Sequence, residues 1–266
     1  MKYSLLASDL DGTLLNDASE ITDGVKKAVS LCVGNGGRFV IVSGRSRKSL
    51  RRFEEELGLI RPGCCGIGFN GGIVYDAHTR EALLDNRLDN ALAMEIIAAL
   101  QKLTGNVVLY AGDRLFAEKN TPVNAAYSAH VRIPLEIAGL ETITCPVSKI
   151  LTKGEPDELT AIGLAMRQAV AGRAEMTRTS PRLLEFGDLR SRKGVGLEFL
   201  CARLGVPMGE VIAVGDSEND LSMIECAGLG AAVANAADEV KAAAKYAANS
   251  TNNEDVLLEI VERFMV

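Results

Sequence analysis

Residues 6–15, LASDLDGTLL, constrain this chain more than any other stretch. A short apolar run, Tyr3 to Leu10, ends in Asp9 and Asp11 and is followed by Gly12 and Thr13. In an extended chain residues two apart share a side, so Asp9 and Asp11 can face one spot. Two carboxylates and a tight glycine turn at the carboxyl end of a buried strand are costly unless something positive sits beside them. A hard cation such as Mg2+ meets that need, because it prefers oxygen ligands and often holds a phosphate beside one or two carboxylates. The same residues also read as a strand that stops in a polar turn, and the rest of the chain has to decide between the two.

The pattern on either side predicts alternation of strands and helices. After the first strand, Thr22 can cap a helix with apolar positions Val25, Ala28, Val29 and Cys32, three and four apart. A second apolar run, Arg38 to Val42, stops at Ser43-Gly44-Arg45, and an amphipathic helix follows through Leu50, Phe53 and Leu57. Strand, helix, strand, helix implies a parallel sheet with right-handed crossovers. Gly66 to Tyr75 reads as two strands around a tight Asn70-Gly71-Gly72 turn.

From about residue 83 the rhythm changes. A helix through Leu92, Ile96, Ile97, Leu100 and Leu103 leads to a hairpin over 107–118, then an irregular stretch between Pro122 and Pro134. A strand over 149–153, a helix opening at Pro156 and two short strands near 174–179 and 182–186 complete the block. After Lys193 the alternation returns: a helix over 195–204, the strand 210–215, the polar stretch Asp216 to Asp220, a helix with Leu221 and Ile224, the strand 229–234 and a terminal helix through Val256, Leu257, Ile260, Val261 and Phe264. The expectation is an α/β domain built from 1–82 and 188–266, with an α+β domain inserted at 83–187.

Composition narrows the function. The 266 residues carry a net charge of −6, which argues against general nucleic-acid binding, since that needs a basic footprint. No apolar run approaches the ~20 residues of a membrane span. Asp9 and Asp11 interrupt the N-terminus too early for a signal peptide, so the chain is expected to be cytoplasmic. The six cysteines form no CxxC pair and are expected to be small core hydrophobes. His78 and His130 lie in unremarkable polar contexts, so acid–base chemistry falls to carboxylates.

Four element ends carry polar groups: Asp9 with Asp11, Ser43, Lys193, and Asp216 to Asp220. Open α/β sheets bind ligands at the carboxyl ends of their strands, where such groups can meet. Singly, Ser43 reads equally as a helix cap, Lys193 as a solvated lysine, and Asp216 and Asp220 as turn and cap residues. Together, in this order and at element boundaries, they fit a metal-held phosphate.

These segments resemble the haloacid dehalogenase (HAD) superfamily, in particular its Cof-like branch of small-molecule phosphatases, over nearly the whole length. DLDGTLL at 9–15, VSGR at 42–45, KGVGL at 193–197 and GDSENDLSM at 215–223 resemble its four motifs, with further matches at Asn70-Gly71-Gly72 and Asn235-Ala236. The resemblance implies a Rossmann-like parallel-sheet core with an inserted α+β cap of the larger (C2) type, and an Mg2+-dependent phosphatase. It implies Asp9 as the nucleophile that becomes an aspartyl phosphate, and Asp11 as the acid that protonates the leaving oxygen and then the base that deprotonates water. It implies Mg2+ between Asp9, the backbone carbonyl of Asp11, and Asp216. Ser43, Gly44, Lys193 and Asn219 would bind the phosphate, and Asp220 would support the metal or the lysine from behind.

The chain departs from the family pattern twice. The stretch Leu189 to Arg192 is more basic than usual, and Asn252 to Asp255 lacks the glycine common in relatives. The insert carries 11 Lys and Arg against 12 Asp and Glu, no lure for a polyanion, so a small phosphorylated metabolite, a sugar phosphate first, is the expected partner. A phosphomutase using the same aspartyl phosphate, and a non-catalytic phosphate-binding regulatory protein, are the alternatives. Nothing in the sequence sets an oligomeric state.

Overall fold

The computed structural model describes residues 2–266, whose strands form three sheets. Strand β1 (Leu5–Ser8) is buried throughout, as expected of a central parallel strand covered on both faces. Helix α1 (Asp23–Gly34), β2 (Arg38–Ile41) and α2 (Arg47–Glu56) follow. Thr22 caps α1 by accepting the Val25 N–H at 3.2 Å, and Val25, Ala28, Val29 and Cys32 are the buried stripe. A small antiparallel sheet comes next, made of β3 (Cys65–Gly68), β4 (Ile73–Asp76) and β5 (Ala82–Asp85). The link between β3 and β4 is a 3-10 turn in which Phe69, Asn70 and Gly71 all take left-handed φ (50°, 54° and 91°). Only glycine fits at 71, because a Cβ there would lie 2.1 Å from the Arg192 carbonyl oxygen.

The second layer contains α3 (Asn90–Gln101), β6 (Val107–Ala111), β7 (Arg114–Ala117), α4 (Pro122–Val131), β8 (Leu135–Ile137), β9 (Val147–Lys153), α5 (Pro156–Val170), β10 (Glu175–Ser180) and β11 (Leu183–Gly187). Its six strands are ordered β10-β11-β9-β6-β7-β8, antiparallel except for the β7–β8 pair. The sheet is two-faced, as strand alternation requires. Val107, Leu109 and Ala111 pack into a core with Ile96 of α3 and Ile162 of α5. Val108 and Tyr110 join the other cluster, with Tyr127, Val131 and Phe69. The Phe69 and Tyr110 rings meet edge-on at 5.1 Å and bring the two layers into contact.

Helix α4 corrects the sequence reading, which left 122–134 irregular. Thr121 caps it through the Asn124 N–H at 3.1 Å, Pro122 fills its first turn, and Arg132 ends it at a left-handed φ of 56°. Its buried positions are Asn124, Tyr127 and Val131, so the stripe keeps helical spacing but one member is polar.

The chain then returns through α6 (Lys193–Leu204), β12 (Val211–Gly215), α7 (Leu221–Cys226), β13 (Leu229–Ala232), α8 (Asp238–Ala243), β14 (Tyr246–Ala247) and α9 (Val256–Phe264). The main sheet, β14-β13-β12-β1-β2, is parallel throughout. The chain moves to one side of β1 through β2 and to the other through β12, β13 and β14. The carboxyl ends of β1 and β12 therefore form the switch point where such sheets bind ligands. Ser8 and Val214 are paired, so Asp9 and Asp216 leave adjacent strands almost side by side. The stretch expected as the insert begins inside β5, which pairs with β4, whereas the six-stranded sheet itself starts at β6.

Smaller expectations also meet the structure. Asp255 stands at a left-handed φ of 59°, a conformation glycine adopts freely, and its carboxylate accepts the Thr22 hydroxyl. The cysteines do not all behave as core residues: Cys32 and Cys201 are buried, Cys145 is exposed in the loop before β9, and the other three lie between. Among the described residues no helix is long and apolar enough to cross a membrane.

Candidate active site

Asp9 lies directly after β1 and is buried, and Lys193, the first residue of α6, is wholly enclosed. The Lys193 ammonium donates to Asp9 Oδ1 and, at 2.6 Å, to Asp220 Oδ1. It is thus a structural counter-ion, not a solvated lysine. Burial alone pushes the Lys193 pKa down, but Asp220 and Asp9 outweigh it and the net shift is upward. Burial pushes the Asp9 carboxyl up; Lys193 pulls against it, and the neighbouring carboxylates of Asp220, Asp216 and Asp11 leave the balance well above the ordinary value.

Asp220 supports its surroundings with its other oxygen, which accepts the backbone N–H groups of Asp216 and Ser217 at 2.9 and 3.0 Å. Ser217 and Asp220 form a reciprocal capping box around the 3-10 turn Glu218–Asp220. Asp220 therefore combines the cap role with the lysine contact. Asp216 accepts the Thr13 hydroxyl at 2.8 Å and the Ser217 hydroxyl at 2.7 Å. Burial and Asp220 hold its pKa above the usual range. Gly12, at φ 82°, leaves room for that carboxylate, since a Cβ there would come within 2.9 Å of Asp216 Oδ2. Asn235 steadies the same turn by donating to the Gly12 carbonyl at 2.8 Å.

Asp9, Asp216 and Asp220 each offer one carboxylate oxygen, and these three atoms lie within 4.8 Å of one another. The set is all oxygen and carries more negative charge than Lys193 balances, so it suits a hard divalent cation. The Asp11 side chain is not in this cluster.

The phosphate-binding candidates sit on the cavity side. Ser43 is buried, and its hydroxyl accepts the Arg45 N–H at 3.2 Å. It does not cap α2; Ser46 does, accepting from the Ser49 N–H. The Gly44 carbonyl accepts the Lys149 ammonium at 2.7 Å. Asn219 donates to Asn70 Oδ1 at 3.0 Å, and Asn70 donates to Glu185 Oε2 at 2.9 Å. Glu185 in turn holds Lys149 at 2.5 Å, so β9 and β11 are tied to the loops of the main sheet by one buried network.

Asp11 faces a different partner. Arg45 grips both of its oxygens, Nε to Oδ2 at 2.8 Å and a terminal nitrogen to Oδ1 at 2.5 Å. The same terminal nitrogen lies 3.1 Å from His130 Nε2 on α4. Burial and then Arg45 lower the His130 pKa. His130, set aside on sequence, thus stands at the site; its sequence neighbours carry no signal of this, because the contact is made only where the end of α4 meets the start of α2, where the Ser49 hydroxyl donates to the Val131 carbonyl at 3.0 Å.

Asp9, Asp11, Ser43, Gly44 and Asn219 line one cavity of about 290 Å³, while Lys193, Asp216 and Asp220 stand behind it. The second layer closes the cavity with Tyr127, His130, Lys149, Lys153, Thr179 and Glu185. None of these was singled out on sequence. The basic stretch before α6 does not reach it: Arg190 pairs with Asp188 and Arg192 with Glu175.

A conserved-family model for haloacid dehalogenase-like hydrolases matches residues 6–260. The chain belongs to that family, in its Cof-like branch, with the HAD core and inserted cap as its architecture, and it is a phosphoric monoester hydrolase. It is 30% identical to the Bacillus subtilis protein named "Putative phosphatase YxeH", over 98% of each chain. It is 26% identical to the pyridoxal phosphate phosphatase YbhA of Escherichia coli, over 96% of this chain and 97% of that one. Among solved structures, a haloacid dehalogenase-like hydrolase from Bacteroides thetaiotaomicron superposes with a TM-score of 0.89 at 30% identity, covering 99% of this chain and 100% of the other.

Proposed function

We propose that the chain is an Mg2+-dependent phosphatase of small phosphorylated metabolites, sugar phosphates among them, acting through an aspartyl phosphate on Asp9. One observation carries this reading: a buried carboxylate, Asp9, has an enclosed ammonium on one oxygen and opens onto a cavity shared with Ser43, Gly44 and Asn219. A carboxylate needs no base to act as a nucleophile, but it repels a phosphate dianion. Lys193 offsets part of that repulsion from behind, and Ser43, the Gly44 backbone and Asn219 orient the phosphate oxygens for in-line attack.

An Asp9 oxygen forms the bond to phosphorus as the bond to the leaving oxygen breaks, and Asp11 gives that oxygen its proton. Water then attacks phosphorus, Asp11 takes its proton, and the Asp9–phosphorus bond breaks to release inorganic phosphate. For either step Asp11 exchanges one of its Arg45 contacts for the reacting oxygen. Asp9, the Asp11 carbonyl and Asp216 would hold the metal, with Asp220 fixing the Asp216 backbone. Bound there, a divalent cation neutralises charge between nucleophile and phosphate.

The test is release of inorganic phosphate from a panel of phosphorylated metabolites, with Mg2+ or EDTA, by wild type and Asp9→Asn. Uncatalysed hydrolysis is so slow that enzymes reach up to ~10^21-fold acceleration, so loss of the nucleophile is expected to abolish detectable turnover. Release that is Mg2+-dependent and absent from the variant supports the reading; equal release by Asp9→Asn overturns the nucleophile.

A further inference from the structure

Three cations from side chains other than histidine line the cavity: Arg45, Lys149 and Lys153. Arg45 is committed to Asp11, and Lys149 to Glu185 and the Gly44 carbonyl. The Lys153 ammonium has no carboxylate partner and no hydrogen bond among the described residues; it lies 5.5 Å from the Tyr127 ring centroid. It is half-buried, and burial followed by the charge of Arg182 lowers its pKa, as in surroundings short of negative charge.

The neighbouring strands complete a corner around it. Lys153 pairs with Leu183, and Leu183 with Ser180, so the three lie in one row across β9, β11 and β10. Between Arg178 and Ser180 the register slips, and Thr179 is the extra residue of that bulge. Bulges re-aim side chains, often beside active sites. Thr179 lines the cavity, and its buried hydroxyl has no hydrogen-bond partner. A buried hydroxyl without a partner is unfavourable by itself. Lys149 and Glu185 share the face of the sheet on which Lys153 stands, two-residue steps away along β9 and β11, and that face meets Gly44 and Asn70.

We propose that Lys153, Thr179 and Ser180 form a subsite for a second anionic group, on the leaving-group side of the phosphomonoester that Asp9 attacks. The preferred substrates are then short phosphomonoesters that also carry a carboxylate or a second phosphate. The ammonium supplies the countercharge and the hydroxyls donate to the anion's oxygens. The cavity of about 290 Å³ suits a leaving group of sugar size. This inference rests on the phosphatase reading of the site, and it narrows the substrates that reading allows.

The experiment compares kcat/KM for matched pairs in Mg2+: 6-phosphogluconate against glucose 6-phosphate, and fructose 1,6-bisphosphate against fructose 6-phosphate, with p-nitrophenyl phosphate as a general ester. The first pair reports a carboxylate and the second a phosphate. Wild type is expected to favour the partner that carries the second anionic group, in at least one pair, by about 10-fold or more, on the scale of one charge-assisted hydrogen bond. Lys153→Met should reduce that ratio about 10-fold, mainly through KM of the anionic substrate. Lys153→Arg should restore most of it, and Thr179→Val should lower it in the same direction. Thermal melts check that each variant is folded. Equal wild-type rates within both pairs, or a ratio that stays within about twofold in both Lys153→Met and Thr179→Val, overturn the subsite and leave the phosphatase reading standing. No phosphate release from any ester by folded wild type overturns that reading, and the subsite with it.

Discussion

Lys193 is the residue whose environment departs most from what its type prefers. An ammonium that would be solvated almost anywhere else is enclosed between Asp9 and Asp220. Removing one partner of a buried ion pair leaves uncompensated charge, at about 3–5 kcal/mol. Lys193→Met is therefore expected to lower the unfolding free energy obtained from urea denaturation at pH 7 by an amount in that range and to abolish phosphate release. The stability gap should narrow toward pH 5. Without the ammonium, which pulls against burial at Asp9, the folded state raises the Asp9 carboxyl pKa further above its unfolded value, so protonation relieves the variant as pH falls. A variant as stable as wild type at pH 7 would show that the pair is not buried in solution. Asp9, Asp11 and Asp216 were legible in sequence because each ends an apolar run. Lys193 was legible only in company with them, since nothing in KGVGL marks its side chain as enclosed. Arg45 stood inside a recognised segment without a role, because its partner Asp11 and its neighbour His130 lie 34 and 85 residues away.

At the scale of elements, α9 depends on one carboxylate. Glu259 accepts the Tyr246 hydroxyl at 2.5 Å and the backbone N–H groups of Asn249 and Ser250 at 3.0 and 2.9 Å, fastening the helix to the strand and loop before it. Partial burial pushes its pKa up, but the hydrogen bonds from Ser250, Tyr246 and Asn249 prevail and bring it down to about 2. A carboxyl lower in the folded than in the unfolded state contributes stability above its unfolded pKa and loses it as pH falls through the folded value. Wild type should thus lose this contribution between about pH 4.5 and about pH 2. In Glu259→Gln the melting temperature should be lower at pH 7 and should depend less on pH across that window; parallel acid profiles would refute the linkage. The helices with apolar stripes, α1, α2 and α9, were readable from spacing. Helix α4 was not, because Asn124 occupies a stripe position and is satisfied there by donating to the Lys119 carbonyl at 2.9 Å. Strand β5 and the edge strand β8 are too short and too exposed to show alternation.

For the whole molecule the question is what holds the inserted layer over the main sheet. Alternation between two blocks of unlike rhythm was enough to expect an insert, but nothing local to β9 or β11 announces which residues reach across. Sequence patterns record burial within an element, whereas these contacts depend on how two separately folded layers meet. The apolar part is the Phe69–Tyr110 contact, and the polar part is the Lys149–Glu185 pair with Gly44, Asn70 and Asn219. Both charged groups are 4% exposed, so each needs the other. Lys149→Met leaves the buried Glu185 without its counter-ion, and Glu185→Gln does the same to Lys149, each at about 3–5 kcal/mol. The double variant removes both charges and should be more stable than the sum of the single losses predicts, by up to about 3 kcal/mol. Urea denaturation of the four proteins measures that coupling. Hydrogen exchange should show the single variants loosening the amides around Gly44 and Asn70 before those of β1 and β12, since the latch contacts the loops and not the central strands. Additive losses, or exchange that rises uniformly across both layers, would mean that the pair stabilises the chain without tying the cap to the loops around Gly44 and Asn70.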